Sequence, residues 1–257
     1  MKFNRKIAIL LTALMFCAVL SACAKGTAGT GNTADTAASA EGTTAVKGKP
    51  TGKTSSAENA VEGDTVIFGG WEQDNFLSSG NEKIAWRVLA AEKDKILLLS
   101  EMILDSKPYN DVRKSTSWET CSLRKWLNKD FLNGAFTAAE QAEIITADTV
   151  NDGNAVYNIP GGNDTKDKIF LLSTGEAKMY LSNLEVRCAK GTGFAKSEGL
   201  FAYPDGPYKG KSSWWLRSPG ANLFSAADVF YSGDAGDVYD FADNASVGVR
   251  PALWLNR

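Results

Sequence analysis

The chain has 257 residues, with 28 Lys and Arg against 30 Asp and Glu, and a formal net charge of −2. That balance gives no basis for bulk attraction to nucleic acid or to anionic surfaces. It contains no histidine, which excludes Ser-His-Asp and Cys-His catalysis and every His-ligated metal site.

Residues 1–23 read as a lipoprotein signal peptide. Lys2, Arg5 and Lys6 form a positive start, and Ile7 to Leu20 an apolar run too short for a comfortable membrane span. Leu20-Ser21-Ala22-Cys23 resembles the bacterial lipobox, which makes the Cys23 thiol the expected acyl acceptor. An uncleaved anchor is the plainer alternative. The lipobox reading places the mature protein on the extracytoplasmic face of the cell membrane, lipid-anchored. Residues 24–62 are rich in Ala, Gly, Thr, Ser and Lys. Such a stretch buries too little surface to offset its chain entropy, so a disordered, low-complexity tether is expected. As a flexible coil it spans on the order of 35 Å root-mean-square.

A globular domain is expected over 63–257. Thr65 to Gly69, Ile84 to Leu89 and Lys95 to Ser100 read as strands, the last two joined in a hairpin through Glu92-Lys93-Asp94. Ser117 is placed to cap a helix from Trp118 to about Asn128, with Leu123, Trp126 and Leu127 on one face. Capping boxes at Thr137 to Glu140 and Ser173 to Glu176 open two more helices, the first reaching Ile144. Lys168 to Leu172 reads as a buried strand. Residues 151–166 and 187–212 read as long irregular loops. The end of the chain alternates aromatic and β-branched runs around Ser232-Gly233-Asp234-Ala235-Gly236, the pattern of a β-hairpin.

An ordered series of motifs runs through this domain. It includes Trp118, the run Ser122 to Asn128, Phe131, Phe136, Asp167 to Ser173, Trp214 to Gly220 (WWLRSPG) and Gly248 to Leu255 (GVRPALWL). The series resembles the bacterial family DUF6273, over roughly residues 63–257. Such domains are similar to the C-type-lectin-like fold shared with formylglycine-generating enzymes. The resemblance implies an α+β, C-type-lectin-like domain: antiparallel sheet, flanking short helices and long irregular loops. It brings no known activity. A formylglycine-type oxidase needs a cysteine pair in its C-terminal core, and no cysteine follows Cys188.

The resemblance also puts ligand-facing positions between the two terminal frames, where Asn222, Tyr231, Asp234, Asp237, Tyr239, Asp243 and Asn244 supply aromatic area and adaptable hydrogen bonds. The bland alternative is a surface hairpin whose polar groups solvate a turn. Asp228, Asp234, Asp237, Asp240 and Asp243 could hold Ca²⁺, although no EF-hand spacing is present and no other cofactor is indicated. Tyr239 and Phe241 share one face, toward either ligand or core. Trp118, Arg124, Trp126, Trp214, Trp215, Arg217, Arg250 and Trp254 read as structural, with the arginines needing carboxylate or carbonyl partners. Cys121 and Cys188 either pair or remain buried thiols. The expectation is a membrane-tethered extracytoplasmic module that binds a glycan or a surface protein. The alternative is a cell-envelope enzyme that cleaves wall glycan or peptide through paired carboxylates.

Overall fold

The computed structural model describes residues 46–257; Cys23, the signal segment and the expected tether up to residue 45 lie outside the described residues. In chain order the strands are β1 (Thr65–Trp71), β2 (Glu82–Ala91), β3 (Lys95–Ser100), β4 (Asp105–Ser106), β5 (Ile144–Ile145), β6 (Ala147–Thr149), β7 (Thr165–Asp167), β8 (Ala189–Lys190), β9 (Lys211–Ser212), β10 (Trp214–Pro219), β11 (Ser225–Val229), β12 (Ala235–Phe241), β13 (Gly248–Val249) and β14 (Ala252–Asn256). The helices are short: α1 (Ser122–Trp126), α2 (Leu132–Ala135), α3 (Ala138–Glu143), α4 (Thr174–Tyr180), α5 (Leu184–Arg187) and α6 (Gly193–Ser197).

Two five-stranded sheets carry this mixed α+β domain. One runs β1-β2-β3-β14-β5 and is antiparallel throughout. The other runs β12-β11-β10-β13-β4 and is antiparallel except for β10 beside β13. The GVRPALWL frame crosses between them: Gly248 and Val249 pair in the second sheet, Ala252 to Asn256 in the first. Pro251 has no N–H to give a ladder, so it suits the crossing point. Its carbonyl still accepts from Ser100 N. Trp86, Leu98, Leu99, Trp214 and Trp215 fill the core.

Several expected elements shift. The expected helix at Trp118 starts later, because Asn110 Oδ1 takes the amide of Ser122 and the Tyr109 carbonyl takes that of Leu123. Cys121, not Ser117, therefore caps α1. The chain then continues through a π-turn at Leu127–Phe131 into α2. Both capping boxes form, but α3 stops before Ile144, which enters β5. Ile169 to Leu172 is buried without becoming a regular strand. Its backbone is shared out: Phe170 pairs with Ala252, while the Leu172 and Leu171 carbonyls accept from Arg217 N and Nη1. The expected loop 187–212 holds α6 and two short strands.

The folded unit begins before Gly63. Ala60 is buried, Thr54 bridges to Thr65, and Arg87 Nη1 donates to the Gly48 carbonyl at 3.0 Å. Arg257 Nη2 holds the carbonyls of Glu58 and Ala60. Residues 46–62 carry only two valines as larger apolar groups, so composition alone reads as coil, yet several of their carbonyls are tied down by distant arginines. A chain starting at Gly63 should therefore melt about 5–10 °C below one starting at residue 46, given 2–4 °C for each kcal/mol in a domain of this size. Equal midpoints in a thermal scan would show that the segment contributes nothing.

Candidate functional site

Strands β11 and β12 form the expected hairpin. Its turn is closed by Gly233 N on the Phe230 carbonyl and Phe230 N on the Asp234 carbonyl, both 2.8 Å. Gly233 has φ +93°, and a Cβ there would lie 2.0 Å from the Leu184 carbonyl oxygen. Only glycine allows this approach. Arg187 Nε donates to the Gly233 carbonyl at 2.6 Å, pinning the turn onto α5.

The pinned turn holds Tyr231 against the 187–212 segment. Tyr231 stacks on Tyr203 with ring centroids 4.2 Å apart, and Tyr208 closes on both at 5.5 and 6.3 Å. Phe230 lies 4.0 Å from Tyr231. All four rings are partly exposed. Beside them is a cavity of about 220 Å³ lined by Phe201, Ser213, Phe230, Tyr231, Asp240 and Asn244, with Ser246 and Val247. Asn244 Nδ2 donates to Asp240 Oδ1 at 3.0 Å, and Asn244 Oδ1 accepts from the Ser246 hydroxyl at 2.7 Å.

Asp228 is on the strand next to that of Asp240, two residues along β11 from Ala226, the partner of Asp240. It lies on β11 opposite Trp215, where the β11–β12 register is irregular. It is fully buried, and neither carboxylate oxygen has a hydrogen-bond partner. Burial, and then the nearby Asp240 carboxylate, push its pKa up to about 7. Ser213 lies near enough to offset this slightly, without a hydrogen bond of good geometry.

The other expected ligand residues do not gather here. Tyr231 and Asn244 line the cavity. Tyr239 points from the opposite face of β12 and meets Tyr157 edge-on at 6.0 Å. Tyr239 and Phe241 are both exposed, so neither ring is a core residue. Asn222 Oδ1 accepts from Phe224 N in a local turn. Asp234 is exposed and accepts from the Ser232 hydroxyl. Asp243 pairs with Arg113 at 2.8 Å, and that guanidinium also lies over Phe241. The Asp237 side chain lies outside the described residues. Among the described residues the terminal carboxylates do not converge on a Ca²⁺ position. The three that do are Glu72, Asp74 and Glu82, and backbone amides of residues 73–76 already occupy them.

The residues expected to be structural are engaged inside the fold. Arg217 is bidentate on Glu176. Arg250 has no carboxylate; it donates to the Ser100 and Glu101 carbonyls and lies over Trp214. Arg124 pairs with the buried Asp167 at 2.7 Å, and the Trp118 indole donates to the same carboxylate. Trp126 and Trp254 are half-buried, each covered by a lysine. A wider, open groove of about 850 Å³ runs along α1. Its Arg124 and Lys107 are already committed, to Asp167 and to Asp105 with Trp126. Cys121 and Cys188 are free thiols. Burial raises the pKa of both, that of Cys121 to about 12, so they behave as small apolar groups.

Phe201, Tyr203, Tyr208, Ser213, Phe230 and Ser246 escaped the sequence reading as ligand positions. The one signal for them was a pair of tyrosines among Gly and Pro, Tyr203 and Tyr208. No curated protein and no solved structure matches this chain. One family model does match, over residues 93–257, described as "Domain of unknown function (DUF6273)". The chain belongs to that family.

Proposed function

We propose that this domain is a ligand-binding module, held on the extracytoplasmic face of a membrane by lipid on Cys23. The observation that carries the binding reading is the group of four partly exposed rings, Tyr203, Tyr208, Phe230 and Tyr231, beside a polar cavity. Rigid aromatic area next to adaptable polar groups is what a contact surface needs. Two mostly antiparallel sheets with long loops ahead of the closing strand support a C-type-lectin-like arrangement, in which those loops face the ligand. A paired-carboxylate hydrolase has less support, because a general acid must reach its substrate and Asp228 is fully buried.

A screen of glycans and cell-surface proteins tests the reading. For any ligand found, Tyr231→Ala should cost about 2 kcal/mol, roughly thirtyfold in affinity, with little change in melting. Tyr239→Ala, on the opposite face, should leave affinity unchanged. The reverse pattern would move the site to the other side of the hairpin. Among the described residues no helix is long and apolar enough to cross a membrane. Cys23→Ala should shift the protein from the membrane fraction to the soluble one, or stall its processing; a variant that both fractionates and migrates like the parent would remove the lipid anchor.

A further inference from the structure

Asp240 on the cavity wall, and Asp228 two residues along β11 from Ala226, the strand partner of Asp240, make no ion pair among the described residues. Asp228 is fully buried with both oxygens unpartnered, and Asp240 is near enough to raise its pKa. The neighbours of Asp228 on β11 are Ala226, Ala227 and Val229. An unpaired carboxylate in such a strand is a large cost with no packing gain. Sequences that break a local rule in this way commonly do so at functional sites. The missing positive charge would then come from the ligand.

The cavity narrows the choice of cation. At about 220 Å³ it is far larger than a bare ion needs. Its walls are partly aromatic, from Phe201, Phe230 and Tyr231, and the rings of Tyr203 and Tyr208 extend that surface from its mouth. Flat aromatic faces suit a ring with a C–H face. The Ser213 hydroxyl, the second N–H of the Asn244 amide and the lone pairs of the Ser246 hydroxyl suit ring hydroxyls; the other Asn244 N–H and the Ser246 proton are engaged within the wall. Asp240 suits an N–H donor that also carries charge.

Resting on the reading of this cavity as the ligand site, we propose that it takes a sugar residue with a free, protonated amino group. The ring lies against Tyr231 and Phe230. The ammonium hydrogen-bonds Asp240, with the Asp228 carboxylate on the adjacent strand as the second negative charge.

The test is calorimetric titration of the full, detergent-solubilised chain with a glucosamine tetramer, its fully N-acetylated counterpart, Nα-acetyl-lysine amide and CaCl₂. The glucosamine tetramer should bind at least tenfold more tightly than the acetylated one. Asp240→Asn should abolish that preference, and Asp228→Asn should reduce it several-fold with cooperative melting retained. If both tetramers bind equally and Tyr231→Ala weakens both, the amine assignment falls and the binding module stands. If neither binds, the sugar assignment falls, and the broader screen above decides the module separately. Lysine amide binding as tightly as the glucosamine tetramer would overturn the sugar ring, and Ca²⁺ binding lost in Asp240→Asn would overturn the organic cation.

Discussion

Glu176→Gln should destabilise the domain by about 3 kcal/mol, the lower end of the cost of removing one partner of a buried ion pair. Arg217 is 3% exposed at its side chain and Glu176 is 29% exposed. Both guanidinium Nη atoms reach the Glu176 carboxylate. The remaining partners of Arg217 are the carbonyls of Leu171 at 2.9 Å and Val150 at 3.1 Å. They satisfy N–H groups but do not neutralise the charge. Glu176 also accepts from Ser173 N at 2.9 Å, closing the capping box of α4. One carboxylate thus closes the N-terminal cap of α4 and ties that helix to β10. Gln keeps the shape and part of the hydrogen bonding, so the loss reports mainly the charge. Adding Arg217→Met should recover part of it, because a well-packed apolar side chain can replace a buried ion pair at little cost. Urea unfolding of the two single variants and the double gives the coupling. If Glu176→Gln unfolds like the parent, the pair does not hold the sheet to the helix.

Local features of this fold were legible because their causes are local. A capping box needs four residues, and both expected boxes form. The β2–β3 and β11–β12 hairpins follow from runs split by turn residues. The buried Trp118, Trp214 and Trp215 follow from apolar neighbours. What stayed hidden depends on partners far along the chain. The segment 46–62 is ordered by Arg87 and Arg257, whose distance in sequence leaves no local trace. The Trp118 helix was shortened by groups at 109–110 that take its first amides. Arg217 was legible as a buried charge needing a carboxylate, but not that the carboxylate was the capping residue Glu176. At the candidate site the register decides. Tyr231 meets Tyr203 where the turn is held by Arg187 on Gly233 and by the Cys188 thiol on the Tyr231 carbonyl. Of the seven expected ligand positions, alternation alone puts Tyr239 on the face opposite Asp240, the cavity-lining residue that was not among them. Asp228 was legible only as one of five possible Ca²⁺ carboxylates, although a carboxylate inside Ser225-Ala226-Ala227-Asp228-Val229 is itself out of character for a buried strand.

Asp228→Asn should raise stability at pH 8 by up to about 4 kcal/mol while leaving it nearly unchanged at pH 4. The carboxyl has an ordinary value of 3.8 and a folded value of about 7, raised first by burial and then by Asp240. Below the ordinary value the group is protonated in both folded and unfolded chains, so it contributes no pH dependence. Between the two values the folded state holds a proton that the unfolded state has released, and stability falls as pH rises. Above about pH 7 the whole penalty is present: some three units at about 1.4 kcal/mol each. Asp105 adds a shallower slope of the same sign, since burial raises it to about 6 against the opposing charge of Lys107, 3.6 Å away. Asp64, hydrogen-bonded by Ser55 and Thr51, and Glu140, in its capping box, are held below their ordinary values; their contributions are lost as pH falls. With no histidine in the chain to titrate between pH 5 and 8, these carboxyls set the profile. The parent should be most stable near pH 4 and weaken toward pH 8, and Asp228→Asn should remove most of that decline. Denaturant midpoints for parent and variant at pH 4 and pH 8 decide the matter. A gain of equal size at both pH values would mean that the substitution acts through packing, and that Asp228 carries no buried charge for a ligand to neutralise.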